Sequence, residues 1–214
     1  MRRYAISAVA FGWIVASCAL SQERYLSNEN AVSAGLFFGR YGTDNKWGFE
    51  CSYSLKGVLQ LSYTRSSVLL KDPISNFQNE YFLRVYAPQA RRLFFSVGGG
   101  YIYQKVNTEL WKGFPLGFVR EGVAFEGALH LATEHSQTRR VVVSIAYMYF
   151  RPTEELHAPA LLTSETKPAH SFTADVAVVY YLGKVVLVVG PRVALDSDFK
   201  NVFAGVHSSL LIRH

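Results

Sequence analysis

From residue 31 to the carboxyl terminus, apolar and polar residues alternate with a period of two, broken at intervals by short polar or glycine-bearing stretches. That period marks strands with one apolar face, because successive side chains on a strand point to opposite sides of the sheet. The pattern predicts ten strands, at approximately 31–41, 46–54, 57–65, 78–87, 91–105, 118–132, 139–150, 171–182, 185–195 and 201–213, and no segment offers a competing helical period. The closest approach to a membrane helix is Val176 to Val189. It is interrupted by Gly183-Lys184 and rich in valine, so it reads as two strands joined by a tight turn.

The connections alternate in length. Leu55-Lys56, Pro88 to Ala90, Thr133 to Thr138 and Gly183-Lys184 are short, whereas Ser66 to Phe77, Val106 to Gly117 and Arg151 to His170 are long. Gly42 to Asn45 and Asp196 to Lys200 are small and polar. Short turns at one end and long loops at the other are the habit of outer-membrane barrels, and an even strand count returns both termini to the periplasmic side. Pro152, Pro159 and Pro168 make Arg151 to His170 an expected surface loop and the expected place for a distinguishing contact.

Alternation alone does not separate a membrane barrel from a soluble one, so the content of each face decides. One face carries Phe49, Leu61, Leu83, Val97, Phe125, Ile145, Val178, Leu187, Val206 and their like, almost without charge. The other is rich in Gly, Ser and Ala, with Glu50, Glu80, Glu126 and Asp175 set against Arg84, Arg120, Arg140 and Arg192. A soluble barrel would turn a lysine-rich face to water, yet Lys46, Lys56, Lys71, Lys105, Lys112, Lys167, Lys184 and Lys200 fall at strand ends or in connections. The polar face is therefore expected to line a narrow lumen whose eight charges form a network. Trp47, Tyr63, Tyr81, Tyr101, Tyr103, Tyr147, Tyr149 and Phe172 fall toward one end, as an interfacial aromatic girdle would. Tyr53, Phe95 and Tyr180 make a weaker belt at the other. The expected fold is one all-β, antiparallel, up-and-down transmembrane barrel of about ten strands, with eight as the alternative.

The amino-terminal segment adds an address. Arg2 and Arg3 precede an apolar stretch, Tyr4 to Val15, too short to span a bilayer but the size of a signal core, with small residues after it. Residues 1–21 thus read as a signal peptide, 22–30 as a periplasmic lead-in and 31–214 as the barrel. Val15-Ala16-Ser17-Cys18 also resembles a lipobox, which makes Cys18 a candidate for lipidation. Only Cys51 then remains, so no intramolecular disulfide is available in an oxidising compartment. The chain has 22 Lys and Arg against 16 Asp and Glu, but they are scattered, so direct nucleic-acid binding is not expected.

Candidate chemistry is sparse. Gly98-Gly99-Gly100 lacks a following Lys-Ser/Thr and lies within a strand, so it reads as wall glycine and not a phosphate loop. His130 to His135 has the wrong spacing for a zinc-protease motif. His207 and Ser209 share a strand face, and the pair resembles the His-x-Ser of the outer-membrane lipid A deacylase family. The acidic residue that should follow is missing before His214, leaving Glu126 across the lumen as the substitute. No catalytic residue, cofactor or metal is assigned.

Four collinear stretches resemble the TraO family, outer-envelope proteins of conjugative transposons: Asn45 to Glu50, Pro73 to Phe77, Leu93 to Gly98 followed by Val106-Asn107, and Tyr181 to Val189 with Arg192. The resemblance implies a non-enzymatic part in conjugal DNA transfer, with outer-membrane lipid and other transfer proteins as partners. The chain departs from that pattern between about Leu131 and Phe172, where it holds an extra strand pair, and it ends in Ile212-Arg213-His214 without a terminal aromatic residue.

Overall fold

The computed structural model describes residues 29–69, 75–87, 92–111, 114–136, 138–157, 161–165, 167–196 and 202–214. The expected signal peptide, with Cys18, lies outside them. The strands are β1 (Ala31–Tyr41), β2 (Asp44–Leu55), β3 (Leu59–Leu69), β4 (Ser75–Tyr86), β5 (Leu93–Trp111), β6 (Phe114–Ser136), β7 (Arg139–His157), β8 (Leu161–Glu165), β9 (Ala169–Leu182), β10 (Val185–Asp196) and β11 (Val202–Arg213). Among the described residues there is no helix.

Each strand pairs antiparallel with its neighbour in sequence, and β1 pairs with β11, so the sheet closes on itself. The short β8 pairs with β7 only, directly above the stretch where β9 pairs with β7. It is the upper part of the ninth strand, set apart from β9 ahead of Pro168, which has no N–H to give a ladder. The wall is therefore a closed barrel of ten strands. Its strands are strongly staggered. A path of paired residues from Ala31 at the start of β1 runs through Ser54, Gln60, Arg84, Gly98, Glu126, Met148 and Ser171 to Asp196 at the end of β10. Such a stagger is what a tilted, closed sheet requires.

The end holding Asn30 and His214 is called the foot here, and the opposite end the head. At the foot the turns are tight. Lys56 and Gly57 both have positive φ, at 49° and 63°, as a two-residue turn of the primed type needs. At the head, β5, β6 and β7 run to 19, 23 and 19 residues, against 11 or 12 for β1 to β4. This corrects the expected loops. Val106 to Gly117 and Arg151 to His170 are mostly hairpin, so a one-sided palisade of paired strand rises from the head.

Outward positions carry Leu36, Leu61, Leu83, Phe95, Phe125, Ile145 and Val206, all exposed to the surroundings. The apolar face is thus on the outside, the reverse of a soluble barrel and the arrangement a hydrocarbon solvent demands. The girdle rings pack against one another in clusters toward the head: Tyr63 lies 5.0 Å from Tyr81 and Phe77 6.0 Å from Tyr103, while Tyr147 lies 5.1 Å from Phe172 and contacts His170. Above it the outward positions turn polar, at Lys105, Glu121, Arg151 and Thr153.

Candidate functional site

The inward phase of the same alternation builds the lumen, and its middle is charged. Arg84 on β4 meets Glu126 on β6 in a two-point contact, with Nε 2.8 Å from Oε1 and Nη2 3.1 Å from Oε2. Gly98 of β5 lies between them in register, and a side chain there would strike the Arg84 stem. Arg84 also donates from Nη1 to Ser62 at 2.6 Å and lies over the Phe82 ring. Nearer the foot, the Tyr86 hydroxyl donates to Gln60 at 2.7 Å and the Gln60 amide donates to Ser52 at 3.0 Å.

A second centre lies on β9, β10 and β11, where Asp175 faces Arg192 (3.8 Å from Nε) and His207 (3.0 Å from Nδ1). A third lies at the head, where Arg120 pairs with Glu154 at 3.3 Å and covers the Phe150 ring. Of the residues named from sequence, Arg84 with Glu126 and Arg192 with Asp175 are brought together. Arg120 pairs instead with Glu154, a residue expected in a loop. Glu80 accepts from the Gln78 amide and sits in the field of Lys46, and Arg140 lies inward near the foot. Glu50 lies among Arg192, Arg84 and His207, and among the described residues it makes no ion pair of its own.

Sequence reading missed two members. Lys46 is near a strand end as expected, but it is wholly buried in the lumen. Its phase, shared with Gly48 and Glu50, was the available signal. Glu154 shares the phase of Phe150 and Pro152 on the extended β7.

The lumen also contains more apolar bulk than its Gly, Ser and Ala content suggested. At the foot, Phe94, Val142, Val179, Val186, Val188 and Leu211 form a buried layer across the interior. Phe37, Val68 and Phe203 pack together near the head. Among the described residues several buried polar atoms have no protein hydrogen-bond partner, including both amide atoms of Gln104 and the hydroxyls of Ser66, Ser171 and Thr173.

Both inward histidines are engaged. His130 lies between Ser144, 2.8 Å from Nδ1, and Ser96, 3.2 Å from Nε2, and stacks on Phe94. For His207 the facing carboxylate is Asp175. This corrects the expectation that Glu126 would serve, because Arg84 already holds Glu126. Asp175, His207 and Ser209 thus share a lumen region, but His207 is buried inside a wall whose outer face meets the bilayer.

No family model matches the chain, and no curated protein matches it. Among solved structures, the translocator domain of autotransporter NalP from Neisseria meningitidis aligns at a TM-score of 0.55, covering 98% of this chain and 98% of that one at 9% identity. Neisserial surface protein A (NspA) gives 0.41 over 86% of this chain and 95% of its own, at 8% identity. LpxR from Salmonella typhimurium gives 0.38 over 85% and 99%, at 9% identity. At such identities the likeness to the NalP domain establishes the fold alone, that of outer-membrane β-barrels.

Proposed function

We propose that this chain is a non-enzymatic barrel of the bacterial outer membrane, exported by its signal peptide, that serves as a component of a conjugal DNA transfer apparatus. The observation that carries the non-transport part is the apolar layer at the foot. A lumen filled there by Phe94, Leu211 and four valines, and crossed higher up by paired charges, favours a rigid post over a conduit. The one-sided palisade of β5 to β8 then offers the surface for protein contact. The conjugation role rests on the resemblance of the Asn45 to Glu50, Leu93 to Gly98 and Tyr181 to Val189 stretches to the TraO family.

The general alternative is an adhesion or envelope-stabilising barrel. Deleting the gene and complementing it with a chain shortened at the β7–β8 hairpin tests both. Loss of transfer from the deletion strain, with normal envelope integrity, is the expected result. Undiminished transfer, or an envelope defect alone, would overturn the conjugation reading in favour of the alternative. A tag inserted beside Ser164 should be reached by antibody on intact cells, since the palisade is assigned to the outside.

A further inference from the structure

At the head edge of the girdle, the outward face of β3, β4 and β5 carries a patch made of hydrogen-bond donors. Arg65 pairs in register with Asn79, Asn79 with Tyr103, and Phe77 with Lys105, so the two cations flank the Phe77 ring. The Arg65 guanidinium lies over that ring, 5.0 Å from its centre, which fixes the long side chain against the wall. Tyr63 donates its hydroxyl to Asn79 Oδ1 at 3.0 Å, leaving the Asn79 amide nitrogen as the outward donor. Among the described residues neither Arg65 nor Lys105 has a carboxylate partner. The nearby acid of β6, Glu121, accepts from Tyr101 instead. At the foot, by contrast, Arg213 is paired with Glu29 at 3.2 Å.

Two cations and an amide donor with no acceptor among them select an anion, and their height at the aromatic belt is that of lipid headgroups. A second feature lies further toward the foot, beyond the outward row of Tyr63, Tyr81 and Tyr101. Gly99 points outward between Leu83 and Phe125 in register, and Gly127, outward on the next strand, lies diagonally beside it. A Cβ placed there would find nothing nearer than 3.9 Å, so the missing side chain leaves a shallow slot in the wall.

We propose that Arg65, Asn79 and Lys105 hold the phosphate of a membrane lipid, one of whose acyl chains lies in the slot over Gly99. This rests on the bilayer placement argued above, though not on a role in conjugation.

The test uses the full mature barrel in zwitterionic micelles, checked for folding by heat-modifiable migration on gels. A sample that never folds there counts against the barrel placement and is thereby separated from a failure to bind lipid. Native mass spectrometry then compares phosphatidic acid with phosphatidylcholine of the same chains. Preferential binding of phosphatidic acid is expected. Arg65→Ala with Lys105→Ala should weaken it roughly thirtyfold, at the strength usual for two interfacial cations, whereas Lys56→Ala with Lys184→Ala at the foot should not. Gly99→Leu should weaken long-chain but not short-chain phosphatidic acid. Equal binding of the two lipids, retention in the Arg65/Lys105 variant, equal retention of long and short chains by Gly99→Leu, or full competition by inorganic phosphate would overturn the proposal.

Discussion

Arg84 and Glu126 reach each other across an intervening strand because the residue between them is Gly98. Gly100, two residues on, lies beneath the Phe82 ring in the same way, while Gly99 faces outward. The triple glycine is thus a local thinning of the wall that admits one large side chain on each inward step.

Removing one partner of this pair leaves a buried, uncompensated charge. Arg84→Ala should lower stability by about 3 to 5 kcal/mol, and Arg84→Met with Glu126→Leu by much less. Urea unfolding in lipid vesicles, followed by tryptophan fluorescence, measures both. An unchanged midpoint for Arg84→Ala would mean the charges are solvated.

A different glycine controls the approach of β9 to β10. A Cβ at Gly190 would collide with the Val176 carbonyl, where the ladder is already broken beside Pro191. Gly190→Ala should therefore cost about 1 to 3 kcal/mol by overpacking and reduce the heat-modifiable fraction. Gly127→Ala, with nothing within 4 Å of the added atom, should fold like the parent.

The outward residues were legible because Leu83, Phe125 or Ile145 stand in phase with others of their kind, against small or charged neighbours. The interior was less so. In Leu93-Phe94-Phe95 and Phe37-Phe38 both phases are apolar, so the inward Phe94 and Phe37 are masked by their outward neighbours. The charged site was half legible. Phase placed Arg84, Glu126, Asp175 and Arg192 inside, but which acid meets which arginine depends on the stagger between strands, which period does not encode. Proline misled the reading of β7. Pro152 is tolerated because it falls where the β7 ladder to β8 and β9 is interrupted, between Phe150 and Thr153, so its missing N–H breaks no bond on that side.

The apolar layer at the foot should stop ions. In a planar bilayer the parent barrel is expected to give a flat baseline, since a dry constriction excludes water and ions together. Phe94→Ala with Leu211→Ala should introduce a measurable leak. Stable channels from the parent protein would show that the layer does not close the lumen.

Asp175, His207 and Ser209 provide the test of catalysis. With His207 buried in the lumen, His207→Ala and Ser209→Ala should leave the lipid composition of the envelope unchanged, as seen by mass spectrometry of extracted lipid, while His207→Ala shifts the unfolding midpoint through the Asp175 contact. A lipid species that disappears in both variants would make the barrel an enzyme.

The pairing of β1 with β11 joins the first strand to the last along eleven matched positions, from Ala31 with Arg213 to Tyr41 with Phe203. Until the final strand arrives, every partial barrel has two raw edges whose amides find no partner in a hydrocarbon solvent. The order of synthesis and the order of completion are therefore tied: a chain cut short anywhere before β11 is left open along its whole height, not merely smaller. Lineages of such a chain keep both termini on one side only by gaining or losing strands as adjacent pairs, since an odd number would carry one terminus through to the other side of the membrane.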